Sequence, residues 1–72
     1  MEIEICLVFK DKNKPNLYFM AGSDKDENEK EICKQIMEDH KITREEIDEV
    51  WITDYEDYNE DKEEYETYKL DI

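Results

Sequence analysis

Apolar and polar positions along this chain fall into two spacings, one of period two and one of helical period. The switches between them mark out its elements. In residues 2–10, Glu-Ile-Glu-Ile-Cys-Leu-Val-Phe-Lys, the positions Ile3, Ile5, Leu7 and Phe9 share one face. That alternation, rich in β-branched residues, predicts a strand. Asp11 to Asn16 carries Asn13 and Pro15 among lysines, a turn composition. Leu17 to Ala21 then sets Leu17, Phe19 and Ala21 on one side, so the first third of the chain predicts a β-hairpin.

Gly22-Ser23 breaks the pattern. Asp24, Asp26, Glu27 and Glu29 follow, and acids in a first helical turn favour the positive end of the helix dipole. Ile32, Cys33, Ile36 and Met37 form one apolar stripe of a helix reaching about His40, with Lys34 and Lys41 toward its C-terminal end. Thr43-Arg44-Glu45-Glu46 has the form of a capping box, and Ile42 and Ile47 flank it as a hydrophobic staple. A short helical turn is therefore expected from Arg44 to near Glu49. Val50-Trp51-Ile52-Thr53 predicts a third strand, and Trp51 between two apolar neighbours is expected in the core. Residues 54–63 are polar and acidic and predict a loop. Glu64 to Ile72 alternates again, with Tyr68, Leu70 and Ile72 on one face and Tyr65, Thr67 and Lys69 on the other.

The order ββα(α)ββ predicts one α+β domain over residues 1–72. A mainly antiparallel four-stranded sheet, packed by one helix plus a short helical turn, is the simplest way to bury both apolar stripes. Its free sheet edges would permit a homodimer. Cys6 and Cys33 lie on the strand and the helix, 27 positions apart, without the spacing of a zinc or redox site. Both are expected as buried free thiols.

Composition sharpens this picture. Leu, Ile, Val and Phe make up 15 of 72 residues, close to the level at which strongly charged chains stay disordered. The regular spacing argues instead for a folded but marginal domain, strained by self-repulsion at low salt. The net charge of −13 argues against direct nucleic-acid binding and against a basic membrane-surface helix. No apolar run reaches the length of a membrane span, and the N-terminus has no leader pattern, so a cytoplasmic product is expected. A chain this short has little core to spare for a substrate cavity, so no catalytic or cofactor-binding residue is assigned.

The charge is unevenly spread. Residues 1–22 are net neutral, residues 23–53 carry −6 and residues 54–72 carry −7. The densest window, Asp54 to Glu66, sets eight carboxylates against Lys62 alone. Asp54, Tyr55, Glu56, Asp57, Tyr58, Glu60, Asp61, Glu63, Glu64, Tyr65 and Glu66 are its candidate partner-binding residues. Acid runs often serve only as solvated faces that protect a sheet edge. Here the acids repel one another, and the interleaved tyrosines offer rigid contact area with a hydrogen-bonding tip. Acid plus Tyr therefore suggests docking onto a Lys/Arg-lined groove, as found in nucleic-acid-binding proteins such as nucleases. Carboxylates at i and i+2 on a strand stand about 6.6 Å apart. That matches two phosphate rises of roughly 3.4 Å each along one DNA strand. Glu38, Glu45, Glu46 and Glu49 are further acids that could extend the face.

In size, charge and the stretch Tyr55-Glu56-Asp57-Tyr58-Asn59-Glu60-Asp61, the chain resembles phage-encoded DNA-mimic inhibitors. These include acidic anti-CRISPR proteins and inhibitors of restriction enzymes and of uracil-DNA glycosylase. The resemblance implies stoichiometric inhibition of a DNA enzyme in the cytoplasm of a host bacterial cell, by occupying its DNA-binding groove. An alternative reading is a regulatory or assembly module that docks a basic protein away from any nucleic-acid site.

Other chemistry fails on spacing. Asp57-x-Asn59-x-Asp61 opens like a calcium loop, but Lys62 stands where glycine is needed and Tyr68 where glutamate is needed. Asp24-x-Asp26-x-Asn28 fails likewise at Glu29 and Gln35. Cys33 and His40 lie two helical turns apart, roughly 10 Å, too far for a dyad. No metal or cofactor is expected.

Overall fold

A computed structural model describes residues 2–22 and 29–72. The elements are β1 (Glu2–Phe9), β2 (Leu17–Gly22), α1 (Glu29–Asp39), a 3₁₀ turn (Arg44–Glu46), β3 (Ile47–Asn59) and β4 (Glu64–Leu70). The strands form one antiparallel sheet in the order β2-β1-β3-β4. The architecture is therefore α+β, with one helix on one face of a four-stranded sheet. Asp24, Asp26 and Glu27, the acids expected in the first helical turn, lie outside the described residues.

Register explains the core. Ile5 pairs with Phe19 on one side and Ile52 on the other, and Leu7 with Leu17 and Val50. Paired residues of antiparallel strands point to the same face, so these positions present a continuous apolar surface. Ile3, Ile5, Leu7, Ile47, Val50 and Ile52 bury against Cys33 and Met37 of α1. The half-buried Ile32 and Ile36 widen the helix stripe.

Ile47 and Val50 both reach this core although three positions separate them. The register shifts from Val8↔Glu49 to Phe9↔Ile47, leaving Asp48 as one extra residue on β3. That bulge resets the alternation. It also corrects the expected helical turn over Arg44 to Glu49, which stops at Glu46, with β3 beginning at Ile47 rather than Val50. The box itself closes its backbone half: the Thr43 N–H donates to Glu46 Oε2 at 2.8 Å. Lys14 Nζ joins the same carboxylate at 3.2 Å, and the two donors together hold the Glu46 carboxyl below its ordinary range. Arg44 ties the C-terminal residue down, donating from Nε and Nη2 to the main-chain oxygen of Ile72 at 3.2 Å each.

Helix α1 ends in a Schellman motif. The Ile42 N–H reaches Met37 O at 2.8 Å and the Lys41 N–H reaches Glu38 O at 3.1 Å, with Lys41 at φ 56°. That left-handed position suits glycine and strains lysine. Lys41→Gly is expected to stabilise the fold by about 0.5–1 kcal/mol, read as a higher urea midpoint at unchanged m-value. An unchanged or lower midpoint would contradict the strain.

The two cysteines separate. Cys33 is buried on the helix side, whereas Cys6, on the alternate positions of β1, is only half-buried on the helix-free face. The expectation of two buried thiols therefore fails for Cys6, and the sheet between them rules out a disulfide. Burial raises the pKa of both thiols. Trp51 is likewise outside the core: it pairs with Cys6 and Lys69 on the helix-free face and is half-buried.

Candidate functional site

The acidic window is not a loop. Asp54 to Asn59 continue β3, Glu64 to Glu66 belong to β4, and only residues 60–63 form the turn. The loop is expected from sequence because residues 54–63 are polar and acidic; no alternation past Thr53 offsets that composition, and the pairing shows why. Asp54 pairs with Glu66, but Tyr58 pairs with Tyr65, so Tyr55, Glu56 and Asp57 are extra on β3. A bulge of three residues breaks the period-two signal while leaving the hairpin intact.

Local hydrogen bonds set the shape of the bulge and turn. Asp54 Oδ1 accepts the Glu56 N–H at 2.9 Å. Asn59 Oδ1 accepts the N–H groups of Asp61 and Lys62 at 3.0 and 3.1 Å, the Asx geometry that favours Asn at the start of a turn. Glu63 closes the turn at φ 53°, where Gly or Asn would sit without strain.

Strand geometry sets the three tyrosines and three of the interleaved acids on opposite faces. Tyr55, Tyr58 and Tyr65 gather on the helix-free face, with Tyr65 as the hub. Its ring lies 4.9 Å from Tyr55 and 5.1 Å from Tyr58, both edge-on. The Tyr55 hydroxyl donates to Glu4 Oε2 at 3.0 Å, anchoring the bulge to β1. That bond, with smaller help from burial, raises the Tyr55 pKa. Asp54, Glu64 and Glu66 alternate to the other face. Glu56 and Asp57 lie in the bulge, and Glu60, Asp61 and Glu63 lie at the exposed tip.

On the helix side the hairpin meets α1. The Tyr68 hydroxyl donates to Glu29 Oε1 of the first helical turn. Burial raises the Tyr68 pKa most, followed by this donation and by the nearby charges of Asp54 and Glu66. A phenol whose folded pKa exceeds its unfolded value adds stability that is whole below about pH 10 and is lost above it. Stability is expected to fall from about pH 10 upward as the unfolded phenol ionises first. Tyr68→Phe should flatten that fall in urea titrations across the range, and an equally steep fall in the variant would refute the assignment.

The four further acids do not extend the hairpin. Glu45 and Glu46 sit in the 3₁₀ turn at the opposite end of β3, and Glu46 is bound to Lys14. Glu49 accepts from Trp51 Nε1 at 2.8 Å and pairs with Lys69 Nζ at 3.6 Å. Glu38 is exposed on α1. Sequence reasoning missed Glu4, 51 positions from its partner Tyr55; its place opposite the core residues of β1 was the available signal.

Among the described residues, no group of three or more His, Cys, Asp or Glu side chains is placed to hold a metal ion. Asp57 and Asn59 lie on β3 rather than in a calcium-type loop, and the Asp24 motif lies largely outside the described residues. No described helix is long and apolar enough to cross a membrane. No protein-family model matches the chain, and no curated protein or solved structure does either.

Proposed function

We propose that this chain is an acidic inhibitor that occupies the basic nucleic-acid-binding groove of a target enzyme and excludes DNA by mimicry. One observation carries the reading: eight carboxylates within thirteen residues are held on a hydrogen-bonded hairpin, not on a tail. Hairpin order matters because a preset array loses less entropy on docking. Glu64 and Glu66, at i and i+2, stand about 6.6 Å apart along β4, within reach of arginine forks that otherwise hold phosphates. The target is a DNA enzyme of the host bacterial cytoplasm, a CRISPR nuclease being one example.

The test is DNA competition. Purified CRISPR nuclease, restriction endonuclease and uracil-DNA glycosylase are each titrated with the protein while anisotropy follows a labelled duplex. DNA release from at least one, weakening steeply with salt, is the expected result. A target that binds the protein yet retains its DNA at saturation would overturn mimicry.

A second reading, docking onto a basic partner away from any nucleic-acid site, is favoured by the sorting of faces. The aromatic cluster and the strand carboxylates do not share a surface, so a partner contacting Tyr58 and Tyr65 need not touch Glu64 and Glu66. Under it, Tyr65→Ala weakens binding more than charge reversal does.

A further inference from the structure

We propose that two copies of this chain pair through their β2 edges, antiparallel about a two-fold axis normal to the sheet, to make one eight-stranded sheet. β2, Leu-Tyr-Phe-Met-Ala-Gly, is an edge strand with no charged residue in a chain that is 46% charged. It contains no proline, and its pairing with β1 runs without a bulge. Edge strands normally carry charge, proline or a bulge against such pairing. The opposite edge has that protection: β4 holds Glu64, Glu66 and Lys69 and faces a bulged stretch of β3.

Exposure points to the same strand. Tyr18 and Met20 are the most exposed large apolar side chains described, at 61% and 57%. Opposed residues in an antiparallel pair must share a face, so the two registers nearest the middle of this six-residue strand centre on Phe19 or on Met20. The Phe19 register sets Tyr18 against Met20 of the second copy, a ring–thioether contact.

Charge selects the occupant. At the Leu17 end of β2, the β1–β2 turn carries Lys10, Lys12 and Lys14 against Asp11. At the Gly22 end, Glu2 and Glu56 line the same cleft as Met20 and Gly22. Antiparallel pairing lays the basic end of one copy beside the acidic end of the other, so the edge is complementary to itself. The acidic hairpins go to the two outer edges, seven strand spacings or about 34 Å apart, well beyond a Debye length of about 8–10 Å.

Sedimentation equilibrium on the full chain tests this, in low salt and in raised salt. The expected result is a mass approaching twice 8.8 kDa with rising concentration. Added salt should tighten the pairing, because it screens the repulsion between two chains of −13, opposite to the salt response of docking onto a basic groove. The double variant Tyr18→Lys with Met20→Lys sets lysine against lysine and should weaken the dimer about tenfold or more. Tyr65→Lys, on β4, should leave it unchanged. Concentration-dependent slowing of β2 amide exchange in the unsubstituted chain reports on the same edge, whatever the variants do. A single-chain mass at roughly 1 mM, or a dimer broken by Tyr65→Lys and not by the lysine pair on β2, would overturn the proposal.

Discussion

Ile52→Ala is expected to leave most of the chain unfolded at room temperature. Ile52 is fully buried at the centre of the sheet, opposite Ile5 on β1 and Tyr68 on β4. Removing its outer carbons forfeits their transfer energy and leaves a cavity, together about 2–5 kcal/mol. A core this size rarely supplies more than about 3–5 kcal/mol of net stability. The substitution thus consumes most or all of the margin, and the self-repulsion of a chain at −13 narrows it further. Ile52→Val, at roughly 0.5–1.5 kcal/mol, should remain folded with a lower urea midpoint. Circular dichroism in urea checks both, and a loss below about 1 kcal/mol for the alanine variant would contradict the packing described.

Reversing Glu60, Asp61 and Glu63 together to lysine is expected to weaken docking onto a basic groove about 100-fold or more, roughly 3 kcal/mol. The three lie at the exposed tip of the hairpin and contribute nothing to the core, so the fold should survive. The reversal also moves the net charge from −13 to −7, which relieves self-repulsion. Binding and stability therefore move in opposite directions, and the triple variant should unfold at higher urea while losing DNA competition. Competition that persists unchanged would place the contact elsewhere, with the tyrosines of the helix-free face as the next surface to alter.

The outline of the fold was legible because most core residues obey one period at a time. Ile3, Ile5 and Leu7 alternate without interruption, and Cys33 and Met37 are one helical turn apart. Errors arose where the pairing register slips. The capping box and staple carried the expected helical turn on to Glu49, because with Asp48 bulged Ile47 and Val50 no longer alternate as strand residues do. With Tyr55, Glu56 and Asp57 bulged, the alternation of β3 disappears and the segment reads as loop. Bulges are set by the strand opposite, so no local pattern announces them. The density of acid and Tyr was plain in the sequence. Their separation onto two faces was not, because it depends on which positions of β3 face β1 and β4.

Strand β3 belongs half to the core and half to the candidate surface: Ile47, Val50 and Ile52 are fixed by packing, and Asp54 to Asn59 extend beyond them with no linker between. For evolution, this divides one strand into a platform constrained by packing and an interchangeable cartridge. Under the proposed function, substitutions past Thr53 would retune charge and contour for a new target while the buried core stays as it is. Substitutions before it are screened by foldability first. Among descendants of such a chain, the segment from Asp54 through the hairpin tip should therefore diverge quickly, and Ile47, Val50 and Ile52 slowly.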